Sequence, residues 1–308
     1  VNSCAVTAEA VRQSRRAVRR LRKENPEARL VVTGCAATIE QNAFAAMAEV
    51  DAVVPNADKL KPELWTAAPV SAAHFAKGKH TRAFVPVQNG CDHRCTFCII
   101  PQGRGTSVSF ETRQVIEAIA RHEGVNEVVL TGVDVTSWGA DLAASPRLGD
   151  LVAAILGAFP ALPRLRLSSL DGVEIDPLLF DLITQEPRVM PHVHLSLQSG
   201  NDMVLKRMKR RHSRADAVEL VTRLKGLRPD IAIGADLIAG FPTEDEAHHA
   251  ANLAIIDELE IVHAHIFPYS PRPGTPAARM PQLARELVKA RAADLRTRAA
   301  ARRAAWLQ

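Results

Sequence analysis

The sequence predicts an α/β protein: a small N-terminal α/β domain, an open partial (βα)6 barrel and a basic C-terminal helix. Three observations predict it. Short apolar runs bounded by turn residues alternate with amphipathic stretches, as expected of parallel strands joined by crossover helices. Six such runs fall between Arg82 and Ile266, too few to close an eight-stranded barrel and enough for an open one. A chain of 308 residues, at about 150 residues per domain, accommodates two domains with a substantial core.

Taken in order, residues 1–66 form the N-terminal domain. Ala10, Val11, Ser14, Ala17, Val18 and Leu21 recur at helical spacing and mark one face, while Arg12, Arg15, Arg16, Arg19, Arg20, Arg22 and Lys23 cover the rest. Asn25-Pro26 ends that helix. A strand at 29–33 closes at Gly34-Cys35, an Ala-rich helix is expected over 39–49, and a strand follows at 52–54. Residues 67–80 lack periodicity and read as a linker. Residues 81–278 form the barrel, with strands expected at 83–87, 127–130, 164–167, 193–197, 231–237 and 261–266. Its helices are expected at 111–123, 148–159, 177–185, 214–227 and 244–259, and residues 279–308 continue as a basic helix.

Composition narrows the function classes. Hydrophobic residues make up 47% and charged residues 24%, which excludes a mostly disordered chain. No stretch approaches the ~18 uninterrupted apolar residues of a membrane span, so no membrane partner is expected. Five cysteines form no even, dense framework and follow no signal peptide, so a cytoplasmic, reducing setting is expected.

Three of those cysteines carry the sharpest signal. Cys91-Asp92-His93-Arg94-Cys95-Thr96-Phe97-Cys98 is a C-x3-C-x2-C run in the loop after the first barrel strand. That spacing lets one loop hold three corners of a 4Fe–4S cubane and leaves the fourth iron open to a small molecule. The competing readings are buried thiols or a zinc site, but structural zinc takes four ligands in paired blocks and no second block follows. His93 is an awkwardly close neighbour for a fourth ligand.

The run, with an aromatic before its third cysteine, resembles the radical S-adenosylmethionine superfamily. Further motifs narrow the resemblance over nearly the whole chain: Asn2-Ser3-Cys4-Ala5-Val6-Thr7, Thr33-Gly34-Cys35-Ala36, Cys98-Ile99-Ile100-Pro101 with Arg104-Gly105, His194 to Gly200, Gly240-Phe241-Pro242-Thr243-Glu244 and Tyr269 to Thr275. In that order and spacing they resemble the methylthiotransferases. The resemblance implies a cluster on Cys91, Cys95 and Cys98 that chelates S-adenosylmethionine and cleaves it reductively to a hydrogen-abstracting 5′-deoxyadenosyl radical. It places Phe97 near the adenine, where packing in the core is the plain alternative. It also implies a second 4Fe–4S cluster, for which Cys4 and Cys35 match two of three ligands. The third lies upstream in the family, so one more cysteine is expected before Val1 and the N-terminal domain is expected to be incomplete. The family's C-terminal RNA-binding β-barrel domain is likewise expected beyond Gln308.

Several polar residues follow barrel strands, where parallel sheets gather ligands. Asp134 follows the second strand, and suits the amino group or ribose of S-adenosylmethionine or a helix cap. Ser168 and Ser169 follow the third strand, and Gln198 and Ser199 the fourth; a plain turn capped by Asp202 is the alternative there. Charge is concentrated: residues 11–23 hold seven basic and no acidic side chains, 206–214 six and none, and 279–308 eight against two. Clustered arginines, notably Arg15, Arg16, Arg210 and Arg211, suit phosphate contacts with tRNA, although basic helix faces are often solvated surface.

The resemblance therefore implies methylthiolation at C2 of N6-threonylcarbamoyladenosine at tRNA position 37, with tRNA, a low-potential electron donor such as flavodoxin or ferredoxin, and a sulfur source as partners. Isopentenyladenosine and a ribosomal-protein aspartate are the alternative substrates within the family. A catalytically impaired iron–sulfur RNA-binding protein is the alternative of another class.

Overall fold

The computed structural model describes residues 1–59, 61–65, 81–122 and 124–308; the linker expected at 67–80 lies outside the described residues. Two compact units result. The first takes the described part of Val1–Lys79 with Gly90–Thr106 and Ser270–Ala278; the second takes the described part of His80–Asn89 with Ser107–Tyr269 and Arg279–Gln308.

In the first unit, β2 (Val31–Gly34) lies between β1 (Asn2–Ser3) and β3 (Ala52–Val54), all parallel. Helix α1 (Ala8–Glu24) starts where the Thr7 hydroxyl accepts from the Ala10 amide at 3.1 Å, satisfying one of the orphan donors of the first turn. It buries Val11 and Val18 against Val32, Ala36, Phe44 and Ile99, and ends where the Asn25 amide donates to the Leu21 carbonyl. The single Ala-rich helix expected over 39–49 is instead two short ones, α2 (Cys35–Ile39) and α3 (Gln41–Ala45). Gly34 explains the early start. Its φ of +96° turns the chain in the left-handed region, and a Cβ there would sit 2.2 Å from the Ser3 carbonyl oxygen. The break falls at Glu40, whose backbone leaves the helical region while its carboxylate is held by Arg15 at 2.6 Å and Arg272 at 3.5 Å.

In the second unit, β4 (Arg82–Pro86) leads into β5 (Gln88–Asn89), which pairs antiparallel with β6 (Val108–Ser109). Strands β4, β7 (Glu127–Thr131) and β8 (Leu165–Leu167) pair in that order, as do β9 (Ser169–Leu170), β10 (His192–Gln198), β11 (Ala232–Ala239) and β12 (Ile261–Pro268). All of these pairings are parallel. Only Ser168 separates β8 from β9, so the strands follow one another in sequence order across the unit, as an open (βα)6 barrel requires. Helices α5 (Thr112–Ala120), α6 (Leu148–Ala158), α7 (Pro177–Gln185), α9 (Arg214–Leu227) and α10 (Glu246–Glu258) fill the expected crossover positions. Alternation decides the faces: Val193, Leu195 and Leu197 of β10 are buried in the apolar core with Leu165, Ile183 and Ile233, while His192, His194, Ser196 and Gln198 share the opposite face.

Elements outside the expectation include β9, the β5–β6 ladder, α4 (Ile100–Arg104) in the first unit, and α8 (Asp202–Met208). The cap of α8 is Asn201, not Asp202; the Asn201 side chain accepts from the Met203 and Val204 amides, and Asp202 instead accepts from the Arg214 amide. Ser169 lies in β9, paired with His194, and does not simply follow a strand. The basic tail forms α11 (Arg285–Trp306), whose Arg291 is 2% exposed and bonded to Glu244 and Glu246.

Candidate functional site

All five cysteines fall in the first unit. The loop that carries three of them is closed at its base, where the Cys91 amide donates to the Gly105 carbonyl at 3.1 Å. Gly90 makes that closure possible: with φ +75°, any Cβ would lie 1.7 Å from the Thr106 carbonyl oxygen. A turn follows in which the Cys98 amide donates to the Cys95 carbonyl, and the Thr96 carbonyl accepts from the Ala277 amide. Cys91, Cys95, Cys98 and Phe97 are all half-buried. Next Ile99 enters the core and α4 begins, with Pro101 in its first turn, where a missing N–H costs nothing.

Helix α4 packs on α2, and the contact centres on Cys35. Gly103 approaches so closely that a Cβ would lie 2.9 Å from the Cys35 Cβ. The buried Cys35 sulfur accepts from Arg104 Nε at 3.2 Å and from Asn56 Nδ2 at 3.5 Å, and Asn56 Nδ2 also donates to the Gly103 carbonyl at 2.6 Å. Cys4 is exposed, and its amide donates to the Ser14 hydroxyl at 3.4 Å. Five soft thiol donors in one unit, three on a closed loop and one carrying hydrogen bonds to its sulfur, fit iron–sulfur ligation. Thiolates are the ligands such clusters take, and donors to the sulfur tune them.

The second unit presents the polar groups expected at strand ends. Buried Gln88 accepts from the amides of Val133 at 3.0 Å and Asp134 at 2.8 Å, pinning the loop after β7. Asp134 is buried and its carboxylate does not cap the short 3-10 turn that follows. Gln198 ends β10 with φ +70°, a left-handed conformation that non-glycine residues adopt at a cost of about 1 kcal/mol or more. Beyond it Ser199, fully buried, donates to Asn252 Oδ1 at 2.8 Å, and the Gly200 amide donates to the same oxygen at 2.7 Å. Asn252 in turn donates to Glu244, which receives Arg291 at 3.0 Å. Burial pushes the Glu244 carboxyl above its ordinary value, against the pull of Arg291.

A model of the radical SAM superfamily matches residues 85–254, and one of an uncharacterized protein family, UPF0004, matches residues 1–55. The threonylcarbamoyladenosine tRNA methylthiotransferase MtaB of Rickettsia prowazekii (strain Madrid E) is 45% identical over 96% of this chain and 74% of its own length. The chain belongs to the radical S-adenosylmethionine methylthiotransferases. The methylthiotransferase MtaB of Thermotoga maritima is 33% identical, over 91% of this chain and 68% of its own length. A tRNA-2-methylthio-N(6)-dimethylallyladenosine synthase of Cereibacter sphaeroides is 36% identical, over 94% and 71%. Among solved structures, the radical S-adenosylmethionine methyltransferase TsrM of Kitasatospora setae shares the fold, with a TM-score of 0.62 at 16% identity over 90% of this chain and 62% of that one.

In this methylthiotransferase the arginines expected to meet RNA divide sharply. Arg210 is a correction: its side chain is 7% exposed, with Nη2 donating to Asp171 Oδ2 at 3.0 Å and to the Ser196 carbonyl at 2.9 Å. A buried carboxylate draws it inward, which a run of basic residues in sequence does not reveal. Arg211 is 44% exposed and bridges Asp171 and Glu174. Arg15 pairs with Glu40 and lies over the Phe44 ring, whereas Arg16 is exposed on α1. Gln88, Asn56, Asp171 and Asn252 escaped the sequence reading.

Proposed function

We propose that this chain installs a methylthio group at C2 of N6-threonylcarbamoyladenosine at position 37 of tRNA, beside the anticodon. The observation that carries the reading is the gathering of Cys4, Cys35, Cys91, Cys95 and Cys98 into one unit, with Arg104 of the loop helix donating to the Cys35 sulfur. The substrate follows the Rickettsia relative, named for threonylcarbamoyladenosine tRNA.

Cys91, Cys95 and Cys98 would hold the 4Fe–4S cluster that binds S-adenosylmethionine, and Cys4 and Cys35 would contribute to a second 4Fe–4S cluster. When bound, this pairing supplies the one-electron chemistry that activates an unreactive C–H bond. The chain's own residues bind and orient. Phe97 offers an aromatic face of the kind an adenine stacks on. In the second unit, Asp134, Ser169 and Gln198 offer hydrogen-bonding groups of the kinds that the amino, ribose and carboxylate groups of S-adenosylmethionine take. Gln88 holds Asp134 in place through its backbone. Arg16 and its exposed neighbours on α1 give phosphate contacts to tRNA. A flavodoxin or ferredoxin would supply electrons and a separate donor the sulfur, in the cytoplasm. No helix among the described residues is long and apolar enough to cross a membrane.

Mass spectrometry of tRNA nucleosides after deletion of the gene tests the reading. Loss of 2-methylthio-N6-threonylcarbamoyladenosine, with its unmethylthiolated precursor accumulating, is the expected result. Its persistence, or loss of the methylthio group from isopentenyladenosine alone, overturns the substrate assignment.

A further inference from the structure

The second unit carries a cluster of imidazoles that the proposed chemistry does not use. His194 on β10, Asp236 on β11 and His265 on β12 lie on three adjacent parallel strands, with Asp236 directly opposite His265 and His194 opposite Gly234, two residues before Asp236. One carboxylate oxygen, Asp236 Oδ1, meets His194 Nε2 at 3.0 Å and His265 Nδ1 at 3.1 Å. The three atoms all lie within 4.8 Å of one another. We propose that His194, Asp236 and His265 form a binding site for a first-row transition-metal dication of the zinc type.

The geometry is close to what such an ion needs. Zinc bonds of roughly 2.0–2.1 Å in a tetrahedral set hold donor atoms about 3.3–3.4 Å apart. The two Asp–His separations fall about 0.3 Å short of that spacing and the two imidazole nitrogens lie within 4.8 Å of each other, so small side-chain shifts bring the three donors onto one metal. Each imidazole can then present a lone pair by shifting its N–H to the opposite ring nitrogen, so a neutral ring need release no proton. Two imidazoles with one carboxylate are the donors that zinc and its neighbours in the series prefer.

Local sequence preserves this arrangement. Gly234 leaves room for the His194 ring to lie across β11: a Cβ would sit 2.4 Å from His194 Nδ1. The rings of His194 and His265 have centroids 4.6 Å apart, and His192 flanks His194 at 6.2 Å. All three donors stand on strands, whose ladders hold them in register. Arg166 nearby pairs with Glu127 at 2.7 Å, a carboxylate it shares with Arg82 at 2.9 Å and Arg164 at 3.3 Å, so net positive charge remains in the neighbourhood and the Asp236 carboxylate is the group that offsets a dication here. The side chain of His265 is 64% exposed, so ions reach the site from solvent and a coordination position stays open to water.

Zinc binding by the protein reconstituted with iron and sulfide tests the site, because its cluster thiols are then occupied. Equilibrium dialysis against zinc should give one tightly held zinc per chain, with only nitrogen and oxygen neighbours in zinc-edge X-ray absorption. His265→Ala removes an exposed ligand and Asp236→Asn a central one, and each should weaken binding more than about 100-fold with iron content unchanged. Gly234→Ala, which removes no ligand, should weaken it about 10–100-fold. The proposal is overturned if the reconstituted protein retains no zinc, if sulfur appears among the zinc neighbours, or if His265→Ala binds as the parent does.

Discussion

Replacing Arg210 by Ala separates two roles that a basic side chain can play. Its guanidinium, 7% exposed, bonds to Asp171, which is itself 4% exposed. Without it, Asp171 keeps the half-exposed Arg211, and the nearest His212 nitrogen is 4.0 Å away. Removing one partner of a buried pair costs about 3–5 kcal/mol, because the other charge is left behind; the remaining Arg211 contact puts the expectation near the lower end, about 3 kcal/mol. At roughly 2–4 °C per kcal/mol for a domain of 150–250 residues, Arg210→Ala should lower Tm by about 6–12 °C. Salt dependence of tRNA binding reads the other role. Each phosphate contact contributes about 0.7–0.9 to the slope of log K against log salt, and a side chain held inside the protein contributes none. Arg16→Ala, on the exposed face of α1, should lose that much slope while changing stability by only about 0.5 kcal/mol. Thermal melts and filter binding over a potassium chloride series measure both. An Arg210→Ala protein that melts like its parent and loses about one unit of slope would refute the reasoning.

Gly103→Ala sets two effects in opposition: alanine favours a helix over glycine by about 1 kcal/mol, but its Cβ would sit 2.9 Å from the Cys35 Cβ, and overpacking costs about 1–3 kcal/mol. A lower Tm and less iron retained per chain are expected, and a more stable variant would show that the contact yields. For Glu127, burial raises the carboxyl, but the Arg166 hydrogen bond and the charges of Arg166, Arg82 and Arg164 outweigh it and hold the group below its ordinary value. Its stabilisation is thus complete above the unfolded glutamate pKa of about 4.3 and is lost as pH falls through the lower folded value. The stability gap between the parent and Glu127→Gln should shrink over that acid range in urea melts, and a gap constant with pH would contradict it. Cys95→Ala should abolish production of 5′-deoxyadenosine under reducing conditions, and retained production would remove Cys95 from the ligand set.

The barrel was legible because parallel strands buried under helices read as apolar runs, and all six expected runs became strands within two residues at each end. Elements governed by single contacts were not. The start of α2 depends on Gly34 passing Ser3, and its end on a carboxylate shared by Arg15 and Arg272, partners far apart in sequence. The two-residue strands β5 and β6 are too short for any periodicity. At the candidate site, the cysteines announce themselves by spacing. The groups around them, Asn56 and Gly103 at Cys35 or Gln88 at Asp134, arrive through tertiary folding and look in sequence like ordinary polar or small residues. The burial of Arg210 was not legible because net charge along the chain says nothing of which guanidinium finds a buried carboxylate.

The first unit is assembled from three stretches of chain, the last of them Ser270–Ala278. Within it the Ala277 amide bonds to the Thr96 carbonyl inside the cysteine loop, and Arg272 reaches Glu40. On a translating ribosome this unit therefore starts first and finishes late. At about 5–20 residues per second, roughly 9–36 s separate synthesis of Cys98 from that of Ala278. Throughout that interval the thiols stand in an unclosed fold, open to oxidation and to the wrong metal. Iron–sulfur maturation of this protein is accordingly a step that waits for synthesis of Ser270–Ala278, and the nascent cysteines depend on the reducing power of their surroundings until that stretch arrives.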